Sequence, residues 1–266
     1  MFPTITIFNK TISMYAVMSI IGILTCGIYI KKVCKSKKID DTKIITMLVV
    51  SLIGVFLGSH ILYAITRFDL IIAFISRIDR VDSFKLLIDC LYEIFGGSVF
   101  YGGLIGGIFV AYLYAKKNKM DISSTFDLVA PLIPLFHFFG RIGCFLVGCC
   151  YGIESDIGFT YTHSLAPIAD NVNRFPIQLV EALYNIILFF VLVHLSNNKK
   201  FQGKIIYLYF IIYPIGRFIF EFFRGDEYRG FLFGLSTSQI ISIILFIISV
   251  SCLLVTYLKN NKKTKM

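Results

Sequence analysis

HFFGRIGCFLVGCCYG (137–152) is an apolar stretch with an arginine near its middle, and YPIGRFIFEFFRGDE (213–227) is a second of the same kind. A guanidinium in hydrocarbon costs at least a few kcal/mol, so Arg141 and Arg217 are expected to face a polar cavity within the membrane and to bind an anion there. The rest of the chain has the composition of a membrane protein. With 57% hydrophobic and 16% charged residues and a mean hydropathy of +0.79, a soluble globular domain is excluded. Stretches that reach the ~20 apolar residues of a membrane span lie near 11–30, 44–65, 94–115, 125–148, 176–195, 205–223 and 233–257. The expected fold class is all-α integral membrane, with seven transmembrane helices in a single polytopic domain over 1–266. The spans carrying Arg141 and Arg217 are the two weakest in hydropathy, and either can hold a broken or re-entrant segment.

Lysines set the orientation. They cluster at 31–43, 116–119, 199–204 and in the tail from Lys259, which are alternate connections in a count of seven spans. The excess of positive charge on cytoplasmic loops then places the C-terminus in the cytoplasm and the N-terminus outside. The net charge of +10 is thus topological, and nucleic-acid binding is not expected. The eight arginines avoid those clusters: Arg67, Arg77, Arg80, Arg174, Arg224 and Arg229 fall in or near the outer connections, and Arg141 and Arg217 in the spans. A planar fork there suits phosphate or carboxylate.

The first span follows a short polar lead without a basic region or a small-residue cleavage site, so it is expected to stay as a helix. The outer connection 66–93 mixes apolar residues with Arg77, Asp79, Arg80, Asp82, Lys85 and Asp89, the pattern of an amphipathic arm lying at the interface. A second outer element is expected at 151–175. Neither an internal repeat nor a low-complexity segment is present in the sequence.

Three of the seven cysteines, Cys144, Cys149 and Cys150, fall within seven residues of one another beside Arg141. A regular helix would set Cys144 and Cys149 about 140° apart, so they share a face only if the backbone is irregular, which Gly148 and Gly152 permit. The Cys-x-x-Cys or histidine pairs that zinc usually needs are absent, and no metal is expected. Cys26, Cys34, Cys90 and Cys252 are scattered, as small core residues are. Glycines at 96, 97, 102, 103, 106 and 107 strip side chains from FGGSVFYGGLIGG (95–107), which either packs helices closely or lets a lipid head group approach the backbone. Tyr101 and Ser98 would put hydroxyls on that surface. Arg217, Glu221 and Arg224 stand at i, i+4 and i+7, one stripe of a continuing helix. Two arginines flanking one carboxylate leave one positive charge for a ligand.

HFFGRIGCFLVGCCYG, RFPIQLVEALYN (174–185) and YPIGRFIFEFFRGDE resemble, in order and spacing, the signature stretches of the bacterial prolipoprotein diacylglyceryl transferases. ISMYAVMSIIGIL, GSHILYAI (58–65) and SVFYGGLIGG extend the likeness over nearly the whole chain. The resemblance implies a multi-pass enzyme of the bacterial cytoplasmic membrane that moves a diacylglyceryl group from phosphatidylglycerol to the lipobox cysteine of a prolipoprotein signal peptide. It forms a thioether, releases glycerol phosphate and needs no cofactor. It also implies that Arg141 is the essential arginine of a Gly-Arg-Ile-Gly motif and that Arg217 and Glu221 are the family's later arginine–glutamate pair. Tyr15 takes the place of a functional tyrosine, and Gly143 and Gly148 keep their motif places. Substrate contact is expected of Tyr15, Gly102, Gly103, Gly143, Cys144 and Arg224.

The likeness has departures. Tyr101-Gly102-Gly103-Leu104 stands where the family usually has His-Gly-Gly-Leu, Cys144 replaces an asparagine, Cys149 an acidic residue, and His60 an arginine. A phenol is a poor base at neutral pH, so a base would have to be His137 or Glu221, unless a thiol beside two arginines loses its proton unaided. The expected catalytic set is Arg141, Arg217, Glu221, Tyr101 and His137. The competing expectations are an anionic-lipid-binding or lipid-flipping protein on the same scaffold, and an enzyme alkylating another thiol from the same donor.

Overall fold

In the computed structural model, residues 1–226, 231–232 and 234–264 are described; Arg229, Lys265 and Phe233, where the last expected span begins, lie outside them. β1 (Thr4–Ile7) pairs antiparallel with β2 (Lys10–Ser13) through Phe8 and Asn9, both left-handed at φ 48° and 57°, a two-residue turn whose twist suits a hairpin. Ser13 then caps α1 (Met14–Lys37) by accepting from the Tyr15 amide, and Asp40 caps α2 (Asp41–Thr66) in the same way from Thr42. The remaining helices are α3 (Phe68–Ile75), α4 (Phe84–Phe95), α5 (Phe100–Lys117), α6 (Ile122–Val129), α7 (Leu132–Val147), α8 (Ile177–Ser196), α9 (Ile205–Phe220) and α10 (Thr237–Thr264). Among the described residues three short two-stranded pairings accompany them: the hairpin, β3 (Glu154–Thr160) with β4 (Asn173–Arg174), and β5 (Phe231–Leu232) with β6 (Leu235–Ser236).

Among the described residues, six helical segments are long and apolar enough to cross a membrane, or seven if the bent pair α4–α5 counts as one. The stretch at 94–115 was expected to be continuous and is not. The helix breaks over Gly96–Val99 and turns by 91° between α4 and α5, because two glycines in succession give a helix little reason to continue. The Arg141 span is interrupted at Ala130–Pro131, between α6 and α7, yet Ile122–Val147 still counts as one span. The Arg217 span keeps its helix through Pro214 to Phe220. Residues 66–93 hold α3 and the greater part of α4, which leave Phe68, Ile72, Ile75 and Phe84 exposed.

Contacts divide the chain into two compact units, one of 1–39, 123–229 and 238–266, the other of 40–122 and 230–237. In the second unit α2 and α5 meet backbone to backbone. A Cβ on Gly58 would overlap the Gly102 carbonyl, and one on Gly106 the Gly54 carbonyl, while Gly103 and Gly107 face Val55. The glycine surface of α5 is thus a helix-packing surface. His60 on α2 is hydrogen-bonded through Nδ1 to the Phe95 carbonyl at 2.7 Å.

The first unit stacks α1 on α7, α7 on α8 and α8 on α9. Gly22 leaves room for Phe136 and Phe139. Asp127 receives the Gly203 and Ile205 amides and so fixes the start of α9. Tyr184 lies where a Cβ on Gly216 would be and donates to the Ile212 carbonyl at 2.5 Å, which draws α8 onto α9 just before Arg217.

Gly106→Ala should destabilise the protein by about 1–3 kcal/mol through overpacking, seen as a lower melting temperature in detergent. Gly27→Ala, whose Cβ would meet nothing within 4 Å, should leave that temperature unchanged.

Candidate functional site

Four ionised side chains lie buried together in the first unit. Arg141 on α7 is 7% exposed, Glu181 on α8 1%, Arg217 on α9 6% and Glu221, one turn later, 8%. Glu181 holds the centre: one carboxylate oxygen pairs with Arg141 Nη2 and the other lies 3.7 Å from Arg217 Nη1. Arg217 Nη2 is 2.7 Å from Glu221 Oε2 and donates to Ser238 Oγ at 3.1 Å. Such a group survives burial only because each charge has an opposite at close range.

Two expectations need correction. Arg224 does not share a helical stripe with Arg217 and Glu221, because α9 ends at Phe220, residues Glu221–Phe223 form a 3-10 turn and Arg224 is extended. Its guanidinium instead grips Asp226, with Nε 3.0 Å from Oδ1 and Nη2 2.6 Å from Oδ2. Nor, among the described residues, does this group carry a surplus positive charge, since Arg141, Arg217 and Arg224 face Glu181, Glu221 and Asp226. An anion bound here would therefore have to loosen one of these pairs or use donors left over. One such donor is Arg141 Nε, buried and without a hydrogen-bond partner among the described residues. The neighbouring Gly140 is buried, yet a Cβ there would meet nothing within 4 Å.

The other expected residues fall in place around this group or apart from it. The His137 ring is buried on α7, 5.5 Å from the ring of Tyr213. Tyr15, at the start of α1, packs on Gly143, where any Cβ would press on its ring and backbone. Tyr101, Gly102 and Gly103 belong to the second unit, where Tyr101 is 1% exposed and the glycines face α2. Glu181 and Asp226 were not anticipated. Glu181 stands inside RFPIQLVEALYN, and a carboxylate within an apolar span demands a partner as Arg141 does.

The end of α7 brings the thiols together. Gly148 is left-handed at φ 76°, a conformation that glycine adopts freely, and its amide returns to the Cys144 carbonyl at 3.0 Å. Cys150 is left-handed as well, at φ 54°. The irregular backbone that was the condition for a shared face is therefore present, and the three sulfurs of Cys144, Cys149 and Cys150 lie within 4.8 Å of one another. Arg141 Nη1 is 3.8 Å from Cys144 Sγ. Hydrogen bonds from the other two thiols, with Arg224 and Arg141 nearby, hold the Cys150 thiol well below its usual range against the effect of burial.

The following loop is built to keep this turn in position. Gln178 donates to the Cys149 carbonyl at 2.8 Å and accepts from the Tyr161 hydroxyl at 3.0 Å. Arg174 donates to the carbonyls of Gly152, Ile168 and Ala169 and lies over the Tyr151 ring at 4.5 Å. Gly152 bridges to Arg224, and the Gly225 amide bonds to the Tyr151 carbonyl at 3.0 Å.

The family model described as prolipoprotein diacylglyceryl transferase matches residues 3–255. A phosphatidylglycerol–prolipoprotein diacylglyceryl transferase of Clostridium tetani is 38% identical over 92% of this chain and 93% of its own. Another of Clostridium perfringens, numbered 2, is 35% identical over 97% and 96%, and one of Rickettsia bellii 30% identical over 95% and 94%. The chain belongs to the prolipoprotein diacylglyceryl transferase family.

Glu181→Ala should cost about 3–5 kcal/mol of stability, because Arg141 is left buried without its carboxylate. Arg141→Ala combined with it should cost less than the two single changes summed. Additive losses in thermal unfolding would show that the two side chains are not coupled.

Proposed function

We propose that the chain transfers the diacylglyceryl group of phosphatidylglycerol to the lipobox cysteine of prolipoproteins. The observation that carries this reading is the buried Arg141–Glu181–Arg217 group with a spare donor on Arg141, in a chain of this family. The acceptor thiolate attacks the glycerol carbon that bears the phosphate ester. A C–S bond forms, the C–O bond breaks, and glycerol phosphate leaves with the bonding electrons.

Charge then builds on the departing phosphate. Arg141 Nε and the guanidinium of Arg217 are the donors proposed to receive it, with Glu181 and Glu221 giving up part of their pairing as the anion forms. Donors already oriented by buried carboxylates need little reorganisation when the phosphate departs. The proposed part of Glu221 is to hold Arg217, that of His137 to accept the thiol proton, and that of Tyr15 and Gly143 to bound the donor beside Arg141. Tyr101 is proposed to orient a substrate by a hydrogen bond, on the strength of its motif position. Gly102 and Gly103 are proposed to set its helix against α2.

The topology proposed with this function is seven spans in the bacterial cytoplasmic membrane, N-terminus outside, as the lysine clusters require. Cysteines introduced into 66–93 and 151–175 should react with an impermeant label from outside, and cysteines in 31–43 and 196–204 should not. Labelling of the latter pair would overturn the orientation.

Transfer itself is tested by complementing a cell depleted of its own transferase and weighing a reporter lipoprotein by mass spectrometry. Addition of a diacylglyceryl group is expected; an unmodified reporter would leave a lipid-binding protein. In that assay Arg141→Lys keeps the charge and loses the fork, and should lower the rate by roughly 10²–10³ with protein levels unchanged. Tyr101→Phe removes one hydrogen bond worth about 0.5–1.5 kcal/mol and should slow transfer only modestly.

A further inference from the structure

We propose that Cys144, Cys149 and Cys150 form a three-thiolate site for a divalent cation of the zinc class, whose fourth position receives the acceptor cysteine thiol. The spacing of these residues along the chain argues against zinc, and their placement in space argues for it. Zinc–sulfur bonds of about 2.3 Å in tetrahedral geometry set sulfurs about 3.8 Å apart. The three sulfurs lie within 4.8 Å of one another, so small side-chain rotations close the difference.

Three features make this a built site. Gly148 and Cys150, both left-handed, reverse the chain at the end of α7 and return two thiols to Cys144. A β-carbon is disfavoured in that region, so Cys150 holds a conformation that the surrounding contacts must impose. Gln178 and the Gly152–Arg224 bridge pin the turn on either side. Three thiolates around a dication carry one net negative charge, and Arg141, 3.8 Å from Cys144, with Arg224 beyond the bridge, supplies the opposite field.

Among the described residues the group has three members and no fourth histidine, cysteine or carboxylate. Structural zinc sites are closed by four protein ligands, whereas three ligands leave a position open for water or substrate. The substrate that fits is a thiol. The incoming thiol displaces the metal-bound water, its proton passing to His137, the base proposed above, which later gives it up to the departing phosphate or to solvent, and the thiolate stays on the metal. That thiolate then attacks carbon as above, the C–S bond forming while glycerol phosphate leaves with the electrons of the C–O bond. The thioether, a poor ligand, is released, and water reoccupies the metal. Glu181 and Glu221 are both engaged by arginines, and a metal lowers the proton affinity of a thiol without either. The acceptor half of the inference rests on the transferase reading; the metal half does not.

The test uses the full chain, purified in detergent with a tag free of histidine runs and loaded with Co²⁺. One cobalt per chain should bind, with intense sulfur-to-cobalt absorption and the visible bands of a tetrahedral ion. Cys144→Ser and Cys150→Ser should each weaken binding at least tenfold, and Cys34→Ser should not. In the unaltered chain Zn²⁺ should protect three of the seven thiols from alkylation, a readout that needs no substitution. A lipobox peptide should shift the cobalt bands, and its Cys→Ser version should leave them in place.

Cobalt well below one per chain, bands indifferent to Cys144 and Cys150, or a disulfide among the three thiols in freshly purified protein would overturn the site. Bands that ignore the peptide in a preparation that transfers lipid would overturn the acceptor role. A preparation that binds cobalt through these thiols but lipidates nothing would sink the transferase reading and leave the metal site supported.

Discussion

Glu181 is the constraint on which the first unit depends. Arg141 on α7 and Arg217 on α9 are both buried, and two guanidinium groups at close range in a medium of low dielectric repel strongly. One carboxylate from α8 reaches both, so α7, α8 and α9 meet in one charge group, in which Glu221, just after α9, pairs with Arg217 as well. Apolar faces allow helices to slide and rotate against one another; a three-helix charge group does not. The position of Arg141 is thereby fixed in advance, as the role of phosphate-stabilising donor proposed for it requires.

Close approach of the backbones makes that geometry attainable. Gly216 admits the Tyr184 ring one turn along α8 from Glu181, and Gly143 admits Tyr15 half a turn beyond Arg141. Both glycines sit beside a charged residue of the group and draw in the helix next to it. In the second unit, glycines of α2 and α5 do the same for two helices without buried charge between them. Since lipid is as apolar as leucine, such packing, and not hydrophobic burial, holds membrane helices together.

Much of this was legible in the sequence. An arginine in an apolar stretch has so few acceptable environments that Arg141 and Arg217 announce a polar site, and Glu221 follows from its i+4 spacing. The α2 and α5 glycines were legible as a surface but not as to what covers it, because spacing describes one helix and says nothing of its neighbour. Glu181 was readable by the rule applied to Arg141, yet its partners belong to other helices, which periodicity within α8 cannot name. The i, i+4, i+7 spacing of Arg217, Glu221 and Arg224 gives no sign that the chain passes at Glu221 into a 3-10 turn, which takes Arg224 off the stripe. The Phe8–Asn9 hairpin carries too few residues for any alternation to show.

The thiols mark the sharpest limit of sequence spacing. Five residues on a helix separate Cys144 from Cys149 by well over a right angle, and that distance along the chain hides their meeting in space. The sign of φ at two positions decides the matter. Gly148 adopts a positive φ at no steric cost, whereas Cys150 adopts it against the preference of its β-carbon. A turn that needed only to end α7 could have stopped at Gly148. The second left-handed residue leads the chain into the Gly152–Arg224 pairing and leaves its thiol beside Cys144 and the arginine that Glu181 holds in place.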